Sequence, residues 1–526
     1  MDTVALHLSH DSTLALSLGG EMHNIELERI FGKRHYDARH ERPDLNELAA
    51  LVHRKCRHFE TALLVGDEDD MARDLFALIG AKSFEKVDHH ASHGAAAFYE
   101  SPFDESLVVS YDGGGNDGTF RIFRADRDNG LRPLDAGHRL NLGIPYRALA
   151  HPIAEINKPA DGKERSNAGK LMGLAAYGQV RHEWISAITD YFLEFSAKDG
   201  IPQMYLMALD CLDSLGKRIG LNMSRNALAD NEGRDLACTA QHIFESIFLK
   251  TILPAATQQK LPICVTGGCA LNVITNQKLA DSFDLPIFVP PNPNDCGLAQ
   301  GAILFRSRPR TQVNVTYSGI SAVDASLLSD AVACYGAVEC TSEELAKLLY
   351  EGHVVAVMRR ESEHGPRALG NRSILCNPSI PGMRDRLNER IKFREGFRPY
   401  APVVRKQDVN KFFENAKNDM SFMSFNPTVR SAWRTTMAAA VHVDGTARAQ
   451  TVTRQQNPWL YDLLTEFERL SGFGVLVNTS FNSKGRPMVT AVKDALDLWL
   501  NTDLDCLVIE AWLFRKRPPA APDDRG

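Results

Sequence analysis

Thr266-Gly267-Gly268-Cys269-Ala270-Leu271-Asn272 follows directly on the apolar run Pro262-Ile263-Cys264-Val265. A short buried-strand pattern that breaks into two glycines and then opens a helix is the strand–loop–helix unit of an α/β protein. Glycine lets backbone N–H groups approach a ligand closely, and a helix start favours an anion. Gly267, Gly268 and Asn272 are therefore candidate nucleotide contacts, although an ordinary strand-to-helix turn has the same pattern.

The alternation continues on both sides. Residues 4–8, 14–18, 62–65 and 106–111 read as strands, and 170–177, 236–250 and 298–306 as helices. Residues 307–316 turn basic and polar, as a connector would. Beyond them, strands are predicted at 354–358, 438–443, 473–477 and 506–509, with helices at 383–392, 459–470 and 491–500. The expected organisation is one α/β unit over 1–322, a second over 323–517 and a disordered tail over 518–526. No short-period repeat is present.

A length of 526 residues suits two or three domains, and 44% hydrophobic with 24% charged residues is an ordinary globular composition. The net charge of −6 argues against a nucleic-acid-coating protein but leaves room for a local basic pocket. The opening Met1-Asp2-Thr3-Val4-Ala5-Leu6 lacks the parts of a signal peptide, and no run approaches 18 apolar residues. Ten scattered cysteines, none in Cys-x-x-Cys spacing, predict neither a disulfide scaffold nor a zinc ribbon. A cytoplasmic location with no membrane partner is expected.

His89 and His93, in Asp-His-His-Ala-Ser-His-Gly, stand four apart, so a helix would put both imidazoles on one face. Core-satisfied histidines share that spacing. Asp112, at the end of a strand, and Asp295, in Asn292-Pro293-Asn294-Asp295, are placed to complete a set, or to serve as turn and cap residues. Two imidazoles with two carboxylates suit Fe²⁺ first, with Mn²⁺ or Zn²⁺ as alternatives. Gly113, Gly114, Gly115 and Asn116 follow Asp112 as a phosphate-cradling loop or a plain hairpin. His10, after the first strand, is placed to act on a phosphate or hydroxyl, or to be structural.

In the second unit, His364-Gly365-Pro366-Arg367-Ala368-Leu369-Gly370-Asn371-Arg372-Ser373 and Lys392-Phe393-Arg394-Glu395-Gly396-Phe397-Arg398-Pro399-Tyr400 concentrate cations near Gly and Pro. Arg448 and the trio Asn478, Ser480 and Asn482 add a guanidinium fork and neutral hydrogen-bonding groups. A basic surface patch is the plain reading. The inventory also suits a small planar acyl phosphate beside ATP.

Taken in order, His10-Asp11, His89–His93, 169–178, 267–272, 365–373, 392–398, 442–448 and 478–482 resemble the O-carbamoyltransferase family that includes the nodulation-factor, cephamycin and tobramycin carbamoyltransferases. The resemblance covers almost the whole chain. It implies an N-terminal actin/hexokinase-like (ASKHA) domain, similar to the transferase of tRNA threonylcarbamoylation, followed by a YrdC-like domain. The second would combine carbamoyl phosphate with ATP, as its Mg²⁺ complex, to give carbamoyladenylate and pyrophosphate. The first would pass the carbamoyl group to a hydroxyl of a small molecule, a natural product or secondary metabolite as in antibiotic biosynthesis.

By the same resemblance Arg367, Arg372, Lys392, Arg394, Arg398 and Arg448 would stabilise phosphate charge, with Asn478, Ser480 and Asn482 beside them. His89, His93, Asp112 and Asp295 would hold the metal. Gly113–Asn116, Lys170 and 267–272 would contact the nucleotide, and His10 would be the general base. Lys392, Arg448 and Ser480 join His10 as the expected catalytic set.

Gly94 stands where the family has alanine, and either Lys33 or Arg34 takes the nucleotide-facing role. Residues 181–235 match least and are the expected seat of acceptor specificity, so the acceptor, free or carried on a protein, is unassigned. A homodimer is compatible with the sequence. The rivals are a tRNA-modifying threonylcarbamoyl transferase, disfavoured by the acidic charge, and a non-catalytic nucleotide-binding regulator, disfavoured by Lys392, Arg394 and Ser480 together. The hydrogenase-maturation carbamoyltransferase carries Cys-x-x-Cys pairs absent here.

Overall fold

The computed structural model describes residues 2–67, 70–114, 118–134, 140–157, 166–197 and 204–516. The tail expected at 518–526 lies outside them, as do Gly115 and Asn116. Strands and helices are interspersed, and among the described residues the strands form three sheets.

In the first sheet, β1 (Thr3–His7), β2 (Thr13–Leu18) and β3 (Glu21–Glu26) make an antiparallel meander. Next, β4 (Thr61–Val65) runs parallel to β1, and β5 (Phe84–Val87) parallel to β4. The order is β3-β2-β1-β4-β5. The second sheet repeats this arrangement. Its meander is β6 (Glu105–Tyr111), β7 (Phe120–Asp126) and β8 (Gly130–Pro133). Then β9 (Ile263–Thr266) is parallel to β6, and β10 (Ile287–Phe288) to β9, in the order β10-β9-β6-β7-β8.

Two helices fill the space between these sheets. Alternation along a strand sends successive side chains to opposite faces. Ala5, Ala15, Leu63 and Val65 meet Leu298, Ala299, Ala302 and Ile303 of helix Leu298–Ser307, while Val108, Phe123 and Cys264 meet Ala95, Ala97 and Phe98 of helix His89–Glu100. The outer face of the first sheet (Val4, Leu6, Leu14, Leu16) is covered by Leu48, Val52, Leu75 and Phe76. That of the second (Val109, Tyr111, Ile122) belongs to a core shared with Phe244, Phe248 and Ile252 of helix Asp230–Gln259.

The third sheet has eight strands: β11 (Val338–Glu339), β12 (Val355–Met358), β13 (Arg372–Cys376), β14 (Ala401–Arg405), β15 (Gln450–Val452), β16 (Val475–Ser480), β17 (Cys506–Ile509) and β18 (Trp512–Arg515). Their order is β11-β18-β17-β12-β13-β16-β14-β15. Both faces are covered, which is why β12 reads as an unbroken apolar run. Val355 and Val357 share a core with Leu460, Leu463 and Phe467 of helix Pro458–Ser471, and Ala356 and Met358 share another with Ala495 and Trp499 of helix Val492–Leu500.

Two expectations need correction. The strand predicted at 438–443 is instead a 3₁₀ turn, Ala438–Ala440, followed by a reversal in which Gly445 N donates to His442 O. Three alanines supply little β preference, and Asp444-Gly445 turns the chain. Conversely, the basic stretch ending at Arg372-Ser373 runs into the buried strand β13. Among the described residues no helix is long and apolar enough to cross a membrane.

Candidate functional site

The residues at the strand tips of the first two sheets converge between them. Asp88 caps helix His89–Glu100, its side chain accepting from Ala91 N at 2.7 Å. One turn along, His93 Nε2 lies 2.9 Å from Asp112 Oδ2 and 3.4 Å from Asp295 Oδ1. His89 Nε2 lies 3.5 Å and 3.8 Å from the same two oxygens. One ligand atom from each of the four residues lies within 4.8 Å of the other three, and all four residues are buried. Two carboxylates this close need a positive charge or a proton between them. Burial and the neighbouring Asp112 raise the Asp295 carboxyl above its usual range. Asp112 is held well below its own, because the hydrogen bonds from His89 and His93 outweigh the cost of its burial. Burial pulls the His93 imidazole down, but the two carboxylates override it and hold it at about 9.

Nitrogen and carboxylate oxygen donors in this set fit a borderline divalent metal. Neighbouring histidines behave differently. His90 is a satisfied core residue, bonded to Ser110 Oγ at 2.8 Å and Gly118 O at 2.9 Å, and burial lowers it to about 4. His7 was not singled out by the sequence. It ends β1, burial lowers it to about 4, and its Nε2 is 3.2 Å from His10 O and 3.7 Å from Asp295 Oδ2. His10 faces the cavity, its Nδ1 3.4 Å from Asp295 Oδ2 and 3.4 Å from Asp11 Oδ2.

Gly267 lets β9 turn into this site. Its φ is +91°, and a β-carbon there would lie 2.1 Å from Tyr111 O, so the chain crosses the end of β6 only as glycine. Gly268 and Asn272 line the cavity beyond it, but Gly267 does not. Asn272 also caps helix Val273–Ser282, accepting from Thr275 N at 3.1 Å.

The third sheet supplies a cationic wall. Helix Met383–Arg386 widens into a π-helical turn, Leu387–Lys392, that delivers Lys392 to the end of β16. Its Nζ donates to Ser480 O at 2.7 Å and Asn482 O at 2.8 Å, as well as to the Asn482 side chain. Arg367, Arg394, Arg398, Arg448, Asn478, Ser480 and Asn482 line the same cavity, joined by Arg34 from the other half. Burial, then the neighbouring guanidinium groups, push the Lys392 ammonium well below its ordinary value. Arg448 is lowered in the same way, and Arg398 falls to about 9. Cations crowded until they weaken one another's hold on a proton are prepared for an anion.

One cavity of about 450 Å³ carries both walls. The halves are pinned together beside it. Arg29 donates to Glu363 O at 2.6 Å and Gly365 O at 2.7 Å, and Gly365 N donates to Glu26 Oε1 at 2.9 Å. His364 Nε2 bonds the carbonyl of Cys296, next to Asp295, at 2.9 Å. Three residues beyond His364, Arg367 enters the cationic wall.

Several expected residues stand elsewhere. Arg372 is fully buried, its guanidinium donating to the carbonyls of Arg359, Arg360 and Asn371, so it supports the loop instead of lining the cavity. Lys170 is buried against Ile156 O at 3.1 Å and Glu395 at 3.2 Å, behind the wall. Lys33 pairs with Glu41 outside the cavity, which leaves Arg34 as the inward residue. Gly113 lines the cavity and Gly114 does not, while Gly115 and Asn116 fall outside the described residues. Among the described residues none from 177 to 243 lines it, although residues 181–235 are the expected seat of acceptor specificity. Their helices bury Ile188, Phe192, Phe195 and Leu215 in the core instead.

The chain matches the family model described as carbamoyltransferase N-terminus over residues 61–304 and that described as carbamoyltransferase C-terminus over 346–516. It is 33% identical over 462 residues to nodulation protein NolNO of Sinorhizobium fredii (strain NBRC 101917 / NGR234), a match spanning 83% of this chain and 65% of that protein. It is 31% identical over 477 residues to nodulation protein NolO of Bradyrhizobium diazoefficiens, spanning 83% and 80%. Among solved structures, HypF of T. kodakarensis superposes with a TM-score of 0.37 at 12% identity, over 58% of this chain and 48% of that one, a likeness too slight to bear on the fold.

Proposed function

The chain belongs to the carbamoyltransferase family of enzymes, and from that membership we propose an ATP-dependent O-carbamoyltransferase working in two half-reactions across one cavity. The observation that carries this reading is the single cavity with a cationic wall on one side and His10 with the buried His–Asp cluster on the other. The repeated 3-2-1-4-5 strand order of the first two sheets supports an actin/hexokinase-like N-terminal half, and the doubly covered third sheet supports a YrdC-like second half.

In the first half-reaction, carbamoyl phosphate, ATP and water give carbamoyladenylate, pyrophosphate and phosphate. Water first cleaves carbamoyl phosphate to carbamate and inorganic phosphate; a carbamate oxygen then bonds to the α-phosphorus as the bond to the pyrophosphate oxygen breaks. Lys392, Arg394, Arg398 and Arg448, with Arg34 and Arg367, meet the charge that develops on the leaving groups. Such stabilisation is strongest where donors are preorganised and water is scarce, as their burial arranges. Asn478 and Ser480 supply neutral hydrogen bonds.

In the second, a hydroxyl of a small-molecule acceptor attacks the carbamoyl carbon, AMP leaves with the electron pair, and His10 takes the hydroxyl proton. A divalent metal, Fe²⁺ in preference to Mn²⁺ or Zn²⁺, would be held by His89, His93, Asp112 and Asp295 and would supply Lewis-acid neutralisation of the adenylate phosphate. Gly113, Gly268 and Asn272 line the cavity on this side and would border the nucleotide.

The test is pyrophosphate release by the purified protein with ATP and carbamoyl phosphate, followed by a screen of hydroxyl acceptors with labelled carbamoyl phosphate. Pyrophosphate release that needs both substrates is the expected result, and none with either would overturn the reading.

A further inference from the structure

Glu395 is the one carboxylate in the segment that supplies Lys392, Arg394 and Arg398 to the cationic wall, and the two half-reactions above give it no role. Its side chain is only 5% exposed, yet it borders the cavity. Lys170 Nζ lies 3.2 Å from Oε1, and Arg398 Nη1 lies 3.6 Å from Oε2. Among the described residues neither carboxylate oxygen accepts a hydrogen bond beyond these ion pairs. An ionised carboxylate offers about four lone-pair sites and only accepts, so the ion pairs with Lys170 and Arg398 leave buried acceptor sites that a ligand with N–H donors would fill.

The charge of the site narrows the ligand. A carboxylate among phosphate-binding cations repels phosphate oxygens, so it weakens the wall for a ligand that is anionic all over. It helps only a ligand carrying N–H or O–H donors beside its anionic group. Carbamoyl phosphate has that pattern: a phosphate at one end and an NH₂ with two N–H bonds at the other. Acetyl phosphate presents a methyl group at the same position.

We infer that Glu395 is a specificity-determining residue that accepts hydrogen bonds from the carbamoyl NH₂ while Lys170 and Arg398 hold it in place. This rests on the proposed use of carbamoyl phosphate. A site built to bond a donor rejects the analogue that lacks it far more strongly than a site reading shape alone, because its own polar group is then left buried and unpaired. The other NH₂ among the substrates is that of adenine, but Glu395 stands between two of the phosphate-side arginines in sequence, and the test separates the two.

The experiment measures the KM of carbamoyl phosphate and of ATP in pyrophosphate release, and the inhibition constants of acetyl phosphate and inorganic phosphate, for wild type, Glu395→Gln and Glu395→Asp. In Glu395→Gln the amide oxygen is drawn to Lys170, so its NH₂ meets the carbamoyl NH₂, donor against donor. The preference for carbamoyl phosphate over acetyl phosphate should then fall on the order of 10²-fold. Inhibition by inorganic phosphate should hold or tighten, since a negative charge is gone. Glu395→Asp, which keeps the charge opposite Lys170, should lose less of the preference.

An unchanged preference in Glu395→Gln would overturn the inference, as would a loss confined to the KM of ATP. Equal weakening of all the ligands, inorganic phosphate included, in both variants would assign Glu395 to the fold and overturn it too. Wild-type protein that releases no pyrophosphate with carbamoyl phosphate would instead remove the reading on which it rests.

Discussion

Gly301 faces Ser92 across the two central helices so closely that a β-carbon on Gly301 would lie 2.0 Å from the Ser92 carbonyl oxygen. Ser92 precedes His93, and Gly301 lies on the helix that follows Asp295 directly. Their approach therefore sets how near the imidazoles come to the Asp295 carboxylate, at the start of the 3₁₀ turn Asp295–Gly297 that leads into the Gly301 helix.

Gly301→Ala should separate those helices, because the contact is with backbone and no side chain can rotate out of the way. Overpacking of this kind typically costs about 1–3 kcal/mol. The expected outcome is a lowered melting temperature together with loss of divalent-metal binding, checked by calorimetry and metal analysis. A variant that melts lower but holds metal as wild type does would detach the helix contact from the site.

The four-residue His–Asp cluster, as the proposed metal site, also predicts a pH dependence. In the metal-free protein His93 has its pKa raised to about 9, so it is protonated below that pH. Ligation requires the neutral ring, and binding must expel the proton. Affinity should therefore fall as pH drops below 9, by about tenfold per unit for one proton, and level off above it. Titrations in buffers of different ionisation enthalpy should show close to one proton released at neutral pH, and none released would contradict the assignment.

Lys392→Ala should abolish most adenylate formation. The residue donates to the carbonyls of Ser480 and Asn482 and lines the cavity, so its loss removes both a cation and the tie that shapes the end of β16. Removing one such donor typically costs about 3 kcal/mol of transition-state stabilisation, or 10²–10³ in rate. Near-normal pyrophosphate release would take the first half-reaction away from this wall.

How legible this was in the sequence depended on whether the signal was local. The helix spacing of His89 and His93 and the buried run before Asp112 are short-range patterns, and the structure puts both residues where those patterns imply. Asp295 lies 183 positions beyond Asp112, and only the pairing of β6 with β9 brings its loop alongside. Arg367 and Arg372 look alike in sequence, five residues apart in one basic stretch. They part because Arg372 begins a central strand whose neighbours bury it, while Arg367 sits in the loop pinned by Glu26 and Arg29. A strand in a doubly covered sheet shows no alternation, which is why the start of β13 reads as a charged loop. His7 was missed because an isolated histidine in an apolar strand carries no pattern.

His10 divides the two half-reactions most sharply. Its ring is 40% exposed toward the cavity, held near Asp295 and Asp11, with its carbonyl tied to His7. An aliphatic hydroxyl is a poor nucleophile until its proton is accepted in the transition state, an effect typically worth about 10²–10⁴ in rate. His10→Asn keeps a hydrogen-bonding arm but cannot take a proton at neutral pH. The variant should bind metal and ATP, release pyrophosphate at close to the wild-type rate and deliver carbamoylated acceptor at least a hundredfold more slowly. Because the cationic wall proposed to form the adenylate is built from the other half of the chain, loss of pyrophosphate release as well would mean that His10 shapes the shared cavity. Undiminished transfer would show that another group takes the proton.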